Sequence, residues 1–326
     1  MGRVLVTGAT GFLGGSLVRS LVTEKVDVIA TGRNEQLLVQ LPMADCNRFV
    51  WDMAEPMDEN LLATLGGVTA IVHCAAYSSA WGHQRQFWSA NVDGTQNCLD
   101  LASKLNVRHF VHVSTPAVYF KFEDQIGIRE TQPLPKPINA YAETKAIAEQ
   151  RVRDSGVPFS ILRPRGIYGA GDTALLPRLL KAAATGPLPR FRNGAAKTDI
   201  TYVEDVVFAI MATLNAGTAA TGEVFNVSGG DALPIGEIVE KACAASGTRV
   251  RWRNLPVAPA LAAVRLGEGI ARLRKNQPEP RVTAYGLGIF AYSQTLDISK
   301  AQRLLNWQPR ISFDEGLSRT FSEQSA

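Results

Sequence analysis

The stretch Arg3-Val4-Leu5-Val6-Thr7-Gly8-Ala9-Thr10-Gly11-Phe12-Leu13-Gly14-Gly15-Ser16-Leu17-Val18 decides the fold. Val4 to Val6 is a short apolar strand, and Gly14 to Val22 repeats apolar residues at three- and four-residue spacing, as an amphipathic helix does. Between them, Gly8 and Gly11 allow a sharp turn and close backbone approach, and Gly14 allows tight helix–sheet packing. A helix starting there offers free N–H groups that suit the phosphates of a dinucleotide. Glycines in this strand–loop–helix position make an ordinary ligand-free turn the poorer reading.

The pattern continues down the chain. Strands are predicted at Arg3 to Thr7, Val26 to Thr31, Arg48 to Trp51, Ala70 to Cys74, Phe110 to Ser114 and Phe159 to Arg163. Helices alternate with them, from Asn91 to Leu105 and from Ala140 to Asp154, the latter opened by Asn139 and closed by Gly156 and Pro158. Such alternation is the mark of βαβ units in a parallel sheet covered on both faces. After Arg163, Pro164, Gly166, Gly169 and Gly171 follow in quick succession, so the chain leaves the sheet. It returns through Thr201 to Leu214, read as strand then helix, and the strand Val224 to Val227. The expected architecture is α/β, a Rossmann-type doubly wound parallel sheet with a smaller, discontinuous C-terminal substrate lobe. Residues 1–165 plus about 198–229 form the nucleotide domain, and about 166–197 plus 230–326 the lobe.

Composition excludes several classes. With 326 residues, 46% of them hydrophobic, the chain buries a large core without disulfides. Cys46, Cys74, Cys98 and Cys243 have no metal-ligand spacing, so they read as reduced, mostly core thiols of a cytoplasmic protein, and no metal is expected. The excess of four cations, 34 Lys and Arg against 30 Asp and Glu, is spread along the chain and does not imply nucleic acid. No apolar stretch approaches the roughly 20 residues of a membrane span, so no stable insertion is expected.

The GxxGxxG spacing and the wording Thr-Gly-Ala-Thr-Gly-Phe-Leu-Gly from Thr7 resemble the extended branch of the short-chain dehydrogenase/reductase superfamily. Further matches are Asp52 after the third strand, resembling an adenine-contacting acid, His73-Cys74-Ala75-Ala76 at the end of the fourth, and Asn91-Val92-Asp93-Gly94-Thr95. The resemblance implies that Gly8, Thr10, Gly11, Phe12, Leu13, Gly14, Asp52, Met53, Ala75, Ala76, Asn91, Ser114, Tyr141, Lys145, Arg163 and Pro164 contact a nicotinamide dinucleotide. The second strand ends Ala30-Thr31-Gly32-Arg33-Asn34. It lacks the carboxylate that would bind a ribose 2′-hydroxyl, and Arg33 can pair with a 2′-phosphate. NADP(H) is therefore the expected cofactor, with NAD(H) the alternative.

Tyr141 and Lys145 stand four apart on one helix face. Aligned on Ala117-Val118-Tyr119, Thr115 falls at the family's catalytic Ser/Thr position, with Ser114 beside it. The resemblance gives Tyr141 the role of general acid/base and Thr115 that of donor to the substrate oxygen. The ammonium of Lys145 is expected to bring the phenol nearer neutral pH. Leu162-Arg163-Pro164 through Tyr168-Gly169 resembles a general motif of the family. Nucleotide-sugar epimerases and dehydratases commonly carry a phosphate-binding Arg where this chain has Thr198, though Lys197 or Arg192 offers a substitute. Ser79-Ala80-Trp81-Gly82 and the segment Ala291 to Ala301 instead resemble the 3β-hydroxysteroid dehydrogenase and 2-alkyl-3-oxoalkanoate reductase group, which implies a sterol-like or 3-oxoacyl substrate. Trp81, Phe87 and Trp88 offer it an apolar wall.

Three functions follow: hydride transfer to an apolar ketone or from its alcohol, a nucleotide-sugar epimerase or dehydratase, and a redox-sensing or RNA-associated binding protein without chemistry. The family resemblance also implies a homodimer formed by the helices near Asn91 and Tyr141. The basic amphipathic stretch Leu261 to Lys275 is read as a lobe helix over the substrate pocket in preference to a membrane contact.

Overall fold

The computed structural model describes residues 2–322, apart from the side chain of Cys46, which leaves the reading of that thiol outside the described residues. Seven strands, β1 (Arg3–Thr7), β2 (Val28–Gly32), β3 (Arg48–Val50), β4 (Val68–His73), β5 (His109–Val113), β6 (Phe159–Pro164) and β7 (Glu223–Val227), form one parallel sheet. Its order is β7-β6-β5-β4-β1-β2-β3, so winding reverses between β1 and β4. Ligands of open α/β sheets bind at the carboxyl edge of such a switch point.

Both sheet faces are buried, which the alternation of β1 makes plain. Val4 and Val6 join Leu17, Val18 and Leu21 of α1 (Phe12–Thr23) on one face, and Leu5 joins Phe110 and Ile161 on the other. The second face is covered by α2 (Gly94–Lys104) through Leu99 and Leu101, and by α3 (Ala140–Asp154) through Val152. A π-helical turn, Trp88–Asp93, precedes α2, so the expected helix start at Asn91 falls inside that turn.

Strand ends differ from the sequence reading by one or two residues, because the partner strand sets where pairing stops. α3 begins and ends as predicted, with Asn139 Oδ1 accepting the Ala142 N–H at 2.8 Å.

The lobe has its own sheet, in the order Leu233–Pro234, Lys197–Thr198, Gln294–Leu296, Gln125–Ile128. Around it lie α4 (Leu176–Thr185), α6 (Ile235–Ala245), α7 (Val257–Leu273) and α8 (Ala284–Ala291). The chain crosses the expected division twice. Gln125–Ile128 enters the lobe from the first half, while Ile298, Ala301 and Leu305 of the last segment join the core around β1. The strand Thr201–Tyr202 pairs with Ile167–Tyr168 and not with the large sheet. Beyond it, α5 (Val203–Ala216) and its continuation to Ala220 make a stretch of 18 residues apolar enough for a membrane span by length and composition, a stretch the sequence reading passed over. Val206, Ala209 and Ile210 are spent in the core beside α1, which explains its hydropathy.

One buried cluster ties α3 to the sheet. Glu149 is fully buried and takes Arg163 Nε at 2.8 Å and Ser114 Oγ at 2.6 Å, while Arg153 Nη2 reaches its other oxygen at 3.1 Å. Burial alone would push this carboxyl up, but the Arg163 hydrogen bond and charge, with Ser114 and Arg153, outweigh it and hold it down. Arg163 also donates to the Tyr119 hydroxyl, whose ring it overlies at 4.6 Å.

Removing one partner of such a pair leaves a buried charge uncompensated. Glu149→Ala should therefore cost about 3–5 kcal/mol in urea unfolding at neutral pH. The folded pKa lies below the unfolded one, so this contribution is present above the unfolded value and fades as pH falls through the folded value. A loss below about 1 kcal/mol, the range of exposed pairs, would contradict the cluster's role.

Candidate active site

The turn after β1 is closed by backbone contact. Gly8 has φ +66°, and a Cβ there would lie 2.7 Å from the Ala75 backbone; one on Gly14 would lie 2.3 Å from the Gly8 carbonyl oxygen. No side chain at Gly11 caps α1, so its first N–H groups, from Phe12 onward, remain for a ligand. A dinucleotide pyrophosphate fits this cradle, because the glycines admit it closely and the helix end offers donors. Thr10 packs its side chain toward Gly32 at the end of β2, where Arg33 is exposed and makes no ion pair or hydrogen bond among the described residues. Asp52 is exposed just past β3, one oxygen accepting the Ala54 N–H, and Met53 beside it is buried.

Behind the cradle, His73 bridges three elements. Thr95 donates its one hydroxyl proton to the Asn91 carbonyl at 2.7 Å, so His73 Nε2, at 3.1 Å, must donate to Thr95. Its Nδ1 then accepts from Thr7 at 2.8 Å. Burial, aided by the charge of Lys145, pushes this imidazole down to about 3 and keeps it neutral. Asn91 donates to the Tyr77 carbonyl and to Thr144, and accepts the Tyr77 N–H at 2.7 Å. Its amide thus clamps the loop after β4 to α3. Ser114 and Arg163 are likewise engaged by Glu149, behind the sheet edge, whereas Pro164, Ala75 and Ala76 line that edge itself. The side chains of Asn91, Ser114 and Arg163, which the family resemblance offers as cofactor contacts, are thus hydrogen-bonded to other parts of the protein.

Tyr141 and Thr115 do come together. The half-buried Tyr141 phenol stands near Thr115 and near Ser78, an exposed residue of the loop after β4. Burial raises the Tyr141 pKa, and these two hydroxyls offset only part of the rise. The sequence reading expected Lys145 to lower it. Lys145 is instead buried, donating to the Val113 carbonyl at 2.8 Å and to His112 Nε2 at 3.0 Å, and burial makes the phenol's shift an upward one. Burial brings Lys145 down to about 8 against the opposing charges of Glu149 and Cys74. His112, kept neutral by burial and by Lys145, leaves its Nδ1 without a partner.

Ser78, His112 and Glu149 were not singled out from sequence. Ser78 follows a strand end, where sheet ligands gather, and Glu149 extends the Tyr141, Lys145 spacing by four more residues. His112 faces Lys145 from β5, a pairing that sequence spacing does not encode.

Arg165, one residue past β6, donates twice to Thr198 Oγ1, at 3.1 and 2.9 Å, and lies near Tyr285. Tyr285 meets Phe120 edge-on at 5.1 Å, and Phe120 meets Phe122 at 5.4 Å. Trp81 is buried, donating its indole N–H to the Gln277 carbonyl at 2.9 Å beyond α7; Phe87 is buried 6.4 Å from the Tyr141 ring, while Trp88 is exposed. In α7, Leu261 is buried and Val264 partly so, but Leu266, Ile270 and Leu273 face outward. Cys74, half-buried below the site, has its thiol pushed up to about 12 by burial, and Cys98 and Cys243 are buried free thiols.

Residues 4–228 match the NAD dependent epimerase/dehydratase family. The chain is 31% identical to the 2-alkyl-3-oxoalkanoate reductase of Stenotrophomonas maltophilia, over 99% of this chain and 100% of the relative. It is 30% identical to the decarboxylating sterol-4-alpha-carboxylate 3-dehydrogenase of Saccharomyces cerevisiae, over 98% of this chain and 97% of that one. The UDP-glucuronic acid 4-epimerase of Bacillus cereus, solved with UDP-glucuronic acid and NAD, superposes with a TM-score of 0.76 over 99% of this chain and 100% of its own at 23% identity, a likeness of fold. With the glycine turn, the seven-stranded parallel sheet and the Tyr141 helix all present, the chain belongs to the NAD dependent epimerase/dehydratase family, the extended short-chain dehydrogenases/reductases, and is an enzyme.

Proposed function

We propose that the chain is an NADP(H)-dependent oxidoreductase interconverting an apolar ketone, sterol-like or 3-oxoacyl, and its secondary alcohol, with Tyr141 as general acid/base. The observation that carries this reading is the placement of the Tyr141 phenol near Thr115 and Ser78, at the carboxyl edge of the sheet. The bound nicotinamide supplies or accepts the hydride. For reduction, the substrate oxygen needs a proton as hydride reaches its carbon. Burial keeps that proton on Tyr141 at neutral pH. Thr115 orients the carbonyl by hydrogen bonding. In the oxidative direction Thr115 and Ser78 stabilise the phenolate that removes the alcohol proton. Lys145, tied to Val113 and His112, presents a buried positive charge one helical turn away.

The exposed, unpaired Arg33 supports NADP(H), since a guanidinium pairs a 2′-phosphate through charge-assisted bonds. Phe120, Phe122, Tyr285 and Trp81 support an apolar substrate, as do the substrates in the names of the two relatives. The nucleotide-sugar alternative loses support because Arg192 is held by Asp124 at 2.7 and 2.8 Å, and Thr198 is taken by Arg165. A non-catalytic sensor has no need of a buried tyrosine placed near Thr115 and Ser78. The same reading places a homodimer in the cytoplasm, with the helices around Asn91 and Tyr141 at its interface.

Tyr141→Phe should leave NADPH binding intact and lower turnover by about two to four orders of magnitude in a nicotinamide absorbance assay; near-normal turnover would sink the assignment. Arg33→Ala should raise the KM for NADPH by about tenfold or more with little change for NADH, since a charge-assisted contact is lost. Equal effects on both cofactors would remove Arg33 from the 2′-phosphate. Because Lys145 titrates near 8, its charge is lost as pH rises through that value, and the reduction rate should fall there. A Lys145→Met enzyme with the same alkaline limb would show that another group titrates.

A further inference from the structure

His112 sits within β5, fully buried, between its register neighbours His73 of β4 and Ile161 of β6. Its two ring nitrogens meet different surroundings. Nε2 lies 3.0 Å from Lys145 Nζ, whereas Nδ1, also buried, has no hydrogen-bond partner. Buried polar atoms left unpaired are uncommon and cost free energy, so one beside a candidate active site needs a physical reason.

The hydrogen positions supply it. Lys145 Nζ also donates to the Val113 carbonyl at 2.8 Å. A lysine ammonium has three N–H donors and no acceptor, so the 3.0 Å contact runs from Nζ to an unprotonated Nε2. His112 is itself neutral, because burial and then the Lys145 charge disfavour a second ring proton. Its one proton is therefore forced onto Nδ1, which is the tautomer free histidine disfavours and the one whose N–H finds no acceptor here. The ring gives up one hydrogen bond to keep Nε2 open to Lys145.

No other group around the pair takes over this task. From β4, His73 stacks on the His112 ring at 5.4 Å, but its own nitrogens are engaged by Thr7 and Thr95. From α3, Glu149 and Arg153 act on the pair through charge alone, since Glu149 is bound by Arg163, Ser114 and Arg153. Tyr141 stands one turn before Lys145 on the same helix, and Cys74, just past β4, is a thiol that burial pushes up to about 12. Lys145 forms no ion pair among the described residues. Its ammonium is tetrahedral, so once two of its protons are committed to the Val113 carbonyl and to Nε2, the direction of the third is fixed.

We propose that His112 is a positioning residue whose Nε2, with the Val113 carbonyl, aims the Lys145 ammonium, and whose tautomer follows the protonation state of that lysine. When Lys145 loses its charge, its proton passes to Nε2 while Nδ1 releases its own. The neutral amine then accepts from Nε2–H, the imidazole stays neutral, and the pair as a whole loses one proton. The consequence for turnover rests on the oxidoreductase reading, in which Lys145 supplies the buried charge; the tautomer is a property of the protein alone.

Long-range 1H–15N correlation spectra of the 15N-histidine-labelled protein separate the tautomers, with His112 assigned through bonds from its backbone amide. At neutral pH the proton should sit on Nδ1, and as pH rises through about 8 it should move to Nε2. In Lys145→Met no such change should occur over the same range. Nε2–H or a doubly protonated ring at neutral pH in the wild type overturns the proposal, as does a wild-type tautomer that never changes or a change that persists in Lys145→Met. NADPH oxidation with methyl 3-oxodecanoate gives the second readout. His112→Phe should lower kcat by about tenfold and move its alkaline limb down by about one pH unit, because a hydrogen bond favouring the charged form is lost. His112→Gln, whose amide oxygen can stand in for Nε2, should restore most of both. A loss in His112→Phe with the limb unmoved and no rescue by Gln would mark a merely structural role and overturn the proposal. The wild-type spectra decide even where a variant fails to fold. The expected tautomer and its change with pH, in a protein that turns over no carbonyl compound, would uphold the placement of Lys145 and remove the oxidoreductase reading instead.

Discussion

The Glu149 carboxylate, sealed between α3 and the sheet, is the contact on which the site geometry depends. Tyr141, Lys145 and Glu149 lie four residues apart and so form one stripe of a helix. Glu149 is bound by Arg163 of β6 and by Ser114 just past β5, which fixes the rotation and height of the stripe. One turn closer to the edge, Lys145 reaches the Val113 carbonyl, and one turn further Tyr141 meets Thr115. The opposite side is set by backbone contact, with Gly8 against Ala75 and Gly14 against Gly8. His73 joins the two sides by spanning Thr7 and Thr95. A buried ion pair is weak evidence for net stability but a stringent constraint on register, and that is its use here.

The parts of this arrangement legible in the sequence are those set by local periodicity and turn chemistry. The helix Ala140–Asp154 was readable to its ends because Asn139 caps it, and the glycine turn because strand, loop and helix occur in order. Motif position places Ser114, Asn91 and Arg163 at the cofactor edge but carries no information on what their side chains bind. Their partners, Glu149, Tyr77 and Thr144, come from elsewhere in the chain. Lys145 shows the same limit in electrostatics. Four-residue spacing placed it near Tyr141, but the direction of its ammonium depends on His112 and the Val113 carbonyl, which only the sheet brings near.

The lobe was less legible, since its strands are two to four residues long and come from four separate segments of the sequence. Gln125–Ile128 belongs to it despite preceding α3. Thr198 illustrates what is gained by seeing the fold. In sequence it marked an expected arginine that was missing; in the structure its hydroxyl holds a different arginine, Arg165, from the end of β6.

The central claim is net hydride transfer to a substrate carbon, and isotope transfer tests it most directly. The purified enzyme is incubated with NADPH deuterated at the transferred position of C4 and an apolar 3-oxo acid, and the product is examined by mass spectrometry. The account predicts one deuterium on the new carbinol carbon and one equivalent of NADP+ for each alcohol formed. Product without deuterium, or a nucleotide sugar isomerised with the cofactor returned unchanged, would contradict it.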